Sequence, residues 1–403
     1  VRIRTTAVGR STGARTIEGE KRLHMLGLRQ TAQGPQGYED PLTASGARSA
    51  VEAVLAQVLD ARLREAHRTD AVFAAGVAEP VAAFVRRGGK RLRGAFAWCG
   101  WRAAGGSGDA TDVLRTGAAL ELLQACALVH DDVMDGSALR RGAPALHMDF
   151  ARRHRAGRMH GSAESFGVSG AVLAGDVALA WADDLFTETA LRTPHGSRLT
   201  GEWRTMRTEM VAGQYLDLHA QASGSSGVEE ALTVAILKSA MYTVARPMAL
   251  GACLAGAGEG VLSALCAAGR CVGLAFQLRD DLLGAFGDPV LTGKPADEDL
   301  RSRKLTYLLA VSHRLAGAAG DRDAAAVLAP RTLARTGRDV ARMRAALART
   351  GGRAHVEAKI AELVATGVRQ VDAAGADPAV RREFAALVEW AVAGPSERAG
   401  EFV

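Results

Sequence analysis

Asp131 and Asp135 stand four residues apart in the segment His130-Asp131-Asp132-Val133-Met134-Asp135. On a helix that spacing puts both carboxylates on one face, with Cβ atoms roughly 5–6 Å apart. Two hard oxygen ligands so placed suit Mg²⁺, which takes one or two carboxylates and completes its shell with water and substrate phosphate. Arg140, Arg141 and Gly142 follow. A planar guanidinium fork matches the oxygens of an anionic group such as a diphosphate. Together these residues could do chemistry on a diphosphate held by metal. A lone acidic cluster of this kind is as readily a solvated helix face.

A second pair, Asp280-Asp281, follows the apolar run Cys271-Val272-Gly273-Leu274-Ala275-Phe276 and so sits at the charged end of a mostly buried helix. Gln277 lies one turn earlier on the same face. Unpaired carboxylates beside apolar sequence are costly unless a cation or donors satisfy them. Two such sites on separate buried helices imply a metal cluster between them more readily than two accidents.

The elements that must position these groups are helices. The chain has 403 residues, of which 48% are apolar and only 5% aromatic, with short β-branched runs. That composition favours helix and supplies a substantial core. The net charge of +6 suits small anionic substrates. No basic stripe with interleaved aromatics is present, so no nucleic-acid partner is expected. The five cysteines show no CxxC and no zinc spacing, which reads as buried reduced thiols and a cytoplasmic location. No run approaches the ~20 apolar residues of a membrane span, and the basic N-terminus lacks a signal-peptide core.

Residues 1–44, rich in Arg, Thr, Gly and Gln, read as a disordered extension, with Met25 as an alternative start. Helical periodicity begins near Ser45. It recurs over 75–86, 90–104, 111–133, 171–189, 203–222, 229–243, 245–256, 259–286 and 304–316, with three more amphipathic segments ending near Val392. The Gly/Ser-rich stretch 155–170 reads as a mobile loop, and Gly284–Pro295 as a helix-breaking loop. The expectation is one all-α domain over residues 45–403, built around a central cavity.

In order along the chain, these stretches resemble the motifs of the trans-isoprenyl diphosphate synthases, the polyprenyl synthetase family. Gly88-Gly89-Lys90-Arg91-Leu92-Arg93 is similar to the family's GGKRLRP stretch, with Gly94 where proline is usual. Asp131-Asp132-Val133-Met134-Asp135 resembles its first aspartate-rich motif, and Arg140-Arg141-Gly142-Ala143-Pro144-Ala145-Leu146-His147 the RRGxPxxH that follows. Gly213-Gln214-Tyr215-Leu216-Asp217 resembles its GQxxD element, and Lys238-Ser239-Ala240 its KT(G/A) element. Gly293-Lys294, Asp299 and Lys304-Leu305-Thr306 resemble the tail beyond the second motif. One position departs: the second motif is DDxxD in the family, and its last position here is Gly284. Asp288 lies two turns beyond Asp280, past the expected helix end. Activity is expected to survive, because the first carboxylate pair, both arginines and both lysines remain.

The resemblance implies an isoprenoid synthase-type helical bundle. It implies a reaction in which an allylic diphosphate (dimethylallyl, geranyl or farnesyl) loses pyrophosphate, isopentenyl diphosphate attacks the allylic cation, and a proton leaves with the pyrophosphate. Asp131 and Asp135 would bind two of three Mg²⁺ ions and Asp280 the third. Asp132 and Asp281 would act through water, and Gln277 would hydrogen-bond beside the second pair. Arg140, Lys238 and Lys294 would grip the allylic diphosphate. Lys90, Arg93 and Arg141 would grip isopentenyl diphosphate, with Gln124 as a neutral donor two turns before Asp131. Gln214 and Asp217 would be either packing residues or partners of metal-bound water, and His147 a structural hydrogen-bonding residue.

Cys126 and Ala127, one turn before Asp131, are small where bulky aromatics stop chain growth early in this family. Leu123 and Leu122, a turn deeper, would form the tunnel floor, with Phe186 and Trp181 as further candidates. The implied product is geranylgeranyl diphosphate, C20. A homodimer is implied by the family alone. A terpene cyclase would carry a different second motif and no isopentenyl site. A non-catalytic partner subunit would tolerate losses such as Gly284. The intact first pair and the retained Lys90, Arg93 and Arg141 argue against both.

Overall fold

The structure, a computed structural model, describes residues 43–287, 298–329, 334 and 336–393. Helix α1 (Ala44–Thr69) leads through a short turn (Ala71–Phe73) and a π-helical stretch (Ala74–Ala78) into α2 (Glu79–Arg86). Then come α3 (Leu92–Ala103) and α4 (Thr111–Met134), followed by a hairpin of β1 (Leu139–Arg140) and β2 (Ala143–Pro144). Next are α5 (Leu146–Ala156), α6 (Ala163–Ala190), α7 (Gly196–Ser223) and α8 (Val228–Ala235). A second π-helical stretch (Ile236–Ala245) connects α8 to α9 (Arg246–Leu254), and α10 (Glu259–Phe286) follows. The rest comprises α11 (Glu298–Ser302), α12 (Tyr307–Ala318), α13 (Arg322–Leu328), α14 (Gly337–Arg349), α15 (Gly352–Ala373) and α16 (Pro378–Val392).

Two helices organise the core. Helix α4 packs on α1, α3 and α6, and α10 packs on α9, α15 and the second π-helical stretch. One apolar cluster runs through both, including Leu114, Leu120, Leu122 and Leu123 of α4 and Leu265, Val272 and Leu278 of α10. Each such side chain contributes about 1.5–3 kcal/mol when fully buried. Aspartates end α4 and stand one to two turns before the end of α10, so the packing delivers both acidic motifs on rigid helices.

Three expectations are corrected. The loop read over 155–170 is mostly helix: α5 runs to Ala156 and α6 starts at Ala163. The glycines there serve close packing. A Cβ on Gly167 would meet the His147 carbonyl at 2.4 Å, and one on Gly170 the Phe150 ring at 2.9 Å, so α5 and α6 cross in near contact. Second, α6 and α10 are each 28 residues long and apolar enough to cross a membrane by length and composition. Their apolar faces instead meet α4 and α5, and α15 and the second π-helical stretch, respectively. Third, Ala44 belongs to α1, and Thr43 caps it by accepting from the Gly46 amide at 3.1 Å. Residues 1–42, Lys294 and Asp288 lie outside the described residues.

Arg91 is buried, contrary to the solvated look of a Lys-Arg-Leu-Arg run. Its guanidinium donates to Glu52 at 2.7 and 3.1 Å, to Glu121 at 3.2 Å and to the Val85 carbonyl at 2.7 Å. It thereby ties α1, α2 and α4 together and leaves Lys90 and Arg93 partly exposed on either side. Removing one partner of a buried ion pair strands the other charge. Arg91→Met is therefore expected to destabilise the fold by about 3–5 kcal/mol, read as a lowered urea midpoint with unchanged slope.

Candidate active site

The first acidic motif closes α4. The Asp135 amide still donates to the Asp131 carbonyl at 2.8 Å, so the two residues keep helical spacing at the helix end. A helix C-terminus is the negative pole of its dipole, so carboxylates there need cations. Three side chains from distant parts of the chain converge on Asp131. Lys238 Nζ and Gln214 Nε2 each donate to Oδ1 at 3.1 Å, and Arg140 donates to Oδ2 at 3.4 Å. Burial alone would push the Asp131 carboxyl up, but Lys238, Lys304 and Arg140 outweigh it and hold the pKa down at about 2. Lys238 also donates to Asp217 at 2.7 Å. Lys304 reaches Asp135 at 3.2 Å and Asp217 at 3.5 Å. Burial would lower the Lys304 pKa, yet Asp217, Asp131, Asp135 and Asp299 raise it, so it stays charged.

Local irregularities put these cations in place. Lys238 rides on the second π-helical stretch, and such bulges recur at functional sites. A Cβ on Gly213 of α7 would lie 2.3 Å from the Lys238 amide nitrogen, so glycine there lets the stretch sit directly on α7. Asp217, one turn along α7, then meets the lysine. Arg140 stands on the β1–β2 hairpin, whose two-residue turn has Arg141 at φ 53° and Gly142 at φ 72°. Positive φ at both positions is the geometry that matches strand twist. Arg140 turns back on Asp132, donating from Nε at 2.8 Å as well as from Nη2. In this structure Arg140 braces the first motif. Asp132 is buried, and its Oδ2 has no hydrogen-bond partner.

Beside the hairpin lies a cationic group. Arg141 donates to the Gly88 carbonyl and stands 5.8 Å from the Phe84 ring centroid. Burial lowers the Arg141 pKa, and the neighbouring Arg91, Arg140 and Arg93 lower it further. Arg93 donates to Thr243 Oγ1 at 2.9 Å, stacks 4.2 Å over Tyr242, and keeps a buried Nε without a partner. Lys90 lies 5.2 Å over the Phe276 ring of α10. Gln124 Oε1 is buried and unpartnered. Like charges held together, with the buried Arg93 Nε unspent, suit an anion.

The second motif lies in the last two turns of α10. Asp281 is buried and accepts from Gln277 at 2.8 Å. Burial pushes its carboxyl up to about 7, with Asp299 and Asp280 adding to the rise. Asp280 is partly exposed beside it. Of the chain-length candidates, Leu123 and Cys126 are buried and Ala127 is partly so, with Cys126 Sγ 3.7 Å from His130 Nδ1. Phe186 stacks on Trp203 of α7 at 4.2 Å between centroids, within the core. Lys304 was read from the sequence only as part of a tail. Its partners come from three other elements, and that convergence leaves no local spacing to detect.

The donor set fits Mg²⁺. Among the described residues no three His, Cys, Asp or Glu side chains gather closely enough to hold an ion by themselves. The Asp131 carboxyl is held low by its cations, Asp135 follows one helical turn on, and Mg²⁺ takes one or two carboxylates and completes its shell with water and phosphate.

The chain is similar to known proteins of one family. The polyprenyl synthetase family model matches residues 75–339. A geranylgeranyl diphosphate synthase of Mycobacterium tuberculosis is 35% identical over 284 residues, 68% of this chain and 72% of the relative. A (2E,6E)-farnesyl diphosphate synthase of Mycobacterium bovis is 36% identical over 59% of this chain and 60% of its own length. A crystal structure of geranylgeranyl pyrophosphate synthase from Corynebacterium glutamicum, complexed with isoprenyl diphosphate and magnesium, superposes with a TM-score of 0.82 at 38% identity. That match covers 89% of this chain and 100% of the other. The chain is an isoprenyl synthase-type all-α protein. It belongs to the polyprenyl synthetase family.

Lys304 offers a direct test of the charge balance. Replacing it by methionine leaves Asp135 and Asp217 short of a cation. Lys304→Met is expected to lower the melting temperature of the metal-free protein, and millimolar Mg²⁺ to recover a large part of the loss, as followed by circular dichroism with and without EDTA.

Proposed function

We propose that the chain is a trans-prenyltransferase. It joins isopentenyl diphosphate to an allylic diphosphate (dimethylallyl, geranyl or farnesyl), releases pyrophosphate, and makes geranylgeranyl diphosphate, C20, as its main product. The observation that carries this reading is the position of Lys304. Its ammonium reaches Asp135 of the first motif and lies in the field of Asp299, while Asp281 of the second motif feels the same lysine. The two acidic helix ends therefore face one space, with the Arg93–Arg141 group beside it.

Asp131 and Asp135 hold two Mg²⁺ ions and Asp280 a third. Bound metal neutralises the charge that develops on departing pyrophosphate. Lys238 and Lys304 bind oxygens of the allylic diphosphate once its charge enters, together with Arg140 and with Lys294 from outside the described residues. Lys90, Arg93 and Arg141 hold isopentenyl diphosphate, and Gln124 adds a neutral hydrogen bond. The helical walls keep water from the allylic cation. Fixing the two diphosphates on separate cationic groups aligns the reacting carbons. The departing pyrophosphate takes the final proton. Ala127 and Cys126 leave room for a chain longer than C15, and Leu123 closes the tunnel.

The protein works as a homodimer in the cytoplasm. Val172 and Leu173 on the outer face of α6 are 43% and 56% exposed, which supports pairing along that helix. The five thiols are unbonded, as in a reducing compartment.

Purified protein, Mg²⁺, labelled isopentenyl diphosphate and each of the C5, C10 and C15 allylic diphosphates test the reading. A C20 diphosphate is expected. No elongation with any starter would overturn it. In the same assay Asp131→Asn is expected to lower kcat by about 10³-fold or more. Asp281→Asn, acting through water, is expected to lower it roughly tenfold. Equal losses would show that the second motif works as a full clamp. Ala127→Phe is expected to shift the product from C20 toward C15, with turnover of the C5 starter retained.

A further inference from the structure

Helix α5 shows two faces. Leu146, Phe150 and His154 are buried on the side that packs on α6, whereas Met148, Arg152 and Arg155 repeat at spacings of four and three on the outside. Met148 is 40% exposed, and the Arg152 and Arg155 side chains 72% and 55%. The chain then turns through Arg158, at φ 50°, to Met159, which is 50% exposed. Asp149 accepts from Arg152 and, at 2.8 Å, from Arg153, and Glu164 accepts from Arg155. Exposed pairs of this kind hold weakly, so the guanidinium groups can exchange to another anion. The place of this corner follows from the helix it leads into. His130 near the end of α4 hydrogen-bonds the Val172 carbonyl of α6 at 3.1 Å, and Arg115 near the start of α4 donates to Thr189 at 3.2 Å. Helix α6 therefore runs antiparallel to α4. Its first residue, Ala163, lies nine residues before Val172, which places it roughly 13 Å beyond the level of His130 by the rise of a helix. The α5–α6 corner thus stands past Asp135, at the end of the molecule that carries the first acidic motif.

We propose that the outer face of α5, with the turn to Met159, docks on a bilayer that contains anionic lipid. Basic and apolar side chains share the side that faces away from the protein, which is the pattern of an interfacial helix. Arginine stems lie along lipid while their heads stay with phosphate, and unbranched methionine fits an irregular acyl surface. Charge complements the headgroups, since residues 148–159 carry four arginines and one acid. The other side of α5 is held by α6, so the helix meets the bilayer by one face and does not span it. A rigid protein partner is disfavoured, because ordering several long exposed side chains costs more in a fixed interface than in a fluid headgroup layer. What docking accomplishes rests on the proposed function. A C15 or C20 diphosphate is an anionic amphiphile that gathers at a lipid surface. An active-site end held at that surface takes its substrate from the bilayer and returns its product there.

Co-sedimentation of the full-length protein with vesicles is the test. One set is phosphatidylcholine alone, and the other has phosphatidylglycerol added. Binding is expected to the anionic set only, and to weaken as salt rises. Arg152→Gln with Arg155→Gln is expected to weaken it about thirtyfold, from the usual contribution of each basic residue at a charged surface. Met148→Ser with Met159→Ser is expected to weaken it on the order of tenfold. Circular dichroism melts of both variants are expected to match the parent, since the exchanged side chains are exposed. Equal binding to the two vesicle sets, or parent-like binding by the arginine variant, would overturn the inference. Release of the protein from vesicles by millimolar inorganic phosphate at constant ionic strength would also overturn it, by assigning the arginines to a free anion. A changed oligomeric state of the arginine variant in sedimentation velocity would do so by assigning the face to a second copy of the chain. Elongation is measured beside binding. Without vesicles and with a C5 starter, both variants are expected to turn over like the parent. With a C15 starter presented in anionic vesicles, the arginine variant is expected to fall behind it. Vesicle binding by a parent that elongates nothing would sink the synthase reading and sustain the docking face. A parent that elongates without binding vesicles would do the reverse.

Discussion

Too much negative charge is gathered at the ends of two helices. Asp131 and Asp135 close α4, where the helix adds the negative pole of its dipole, and Asp280 and Asp281 stand on α10 one to two turns before its end at Phe286. Such an arrangement is stable only with positive charge brought close. Lys238 and Lys304 supply it from elements remote in sequence, and Arg140 from the hairpin just beyond the first motif. Burial raises both the Asp131 and the Asp281 carboxyl, and their neighbours decide the outcome. Asp131, surrounded by cations, is held ionised, whereas Asp281, which has an amide partner and acidic neighbours, is driven toward its protonated form.

The backbone departs from regularity where those cations must be aimed. The non-glycine residues with positive φ are Arg91, Arg141, Arg158 and Arg303 among the described residues. Arg91 lies between Lys90 and Arg93, Arg141 is itself in the basic group, and Arg303 precedes Lys304. A left-handed residue costs roughly 1–2 kcal/mol outside glycine, and here each of those three sets a turn that presents a neighbouring charge to the site. The π-helical stretch under Lys238 belongs to the same economy. It carries Lys238 to within hydrogen-bond reach of Asp131 and Asp217.

Much of this was legible in the sequence because it is local. The helix-borne acids announce themselves by spacing, the glycine pair before Lys90 by type, and the all-helical build by composition. What stayed hidden is what the folded chain assembles at a distance. The basic run around Arg91 gives no sign that its middle residue is buried against Glu52 and Glu121. The glycines of 155–170 look like a loop until α5 and α6 are seen crossing over them. The assignment of diphosphates to individual cations depends on groups that enter from outside the chain, which no sequence pattern specifies.

The ammonium groups at the first motif have a thermodynamic consequence. Lys238 and Lys304 serve as internal counterions for Asp131, Asp135 and Asp217. A divalent ion arriving at those carboxylates competes with the lysines, and a diphosphate arriving at the lysines competes with the carboxylates. Each therefore does better when the other is present, since the partners released by one are those required by the other. By reciprocity the ion strengthens the anion as much as the anion strengthens the ion. On the proposed function, a preformed metal–diphosphate pair would enter this site more favourably than either ligand alone.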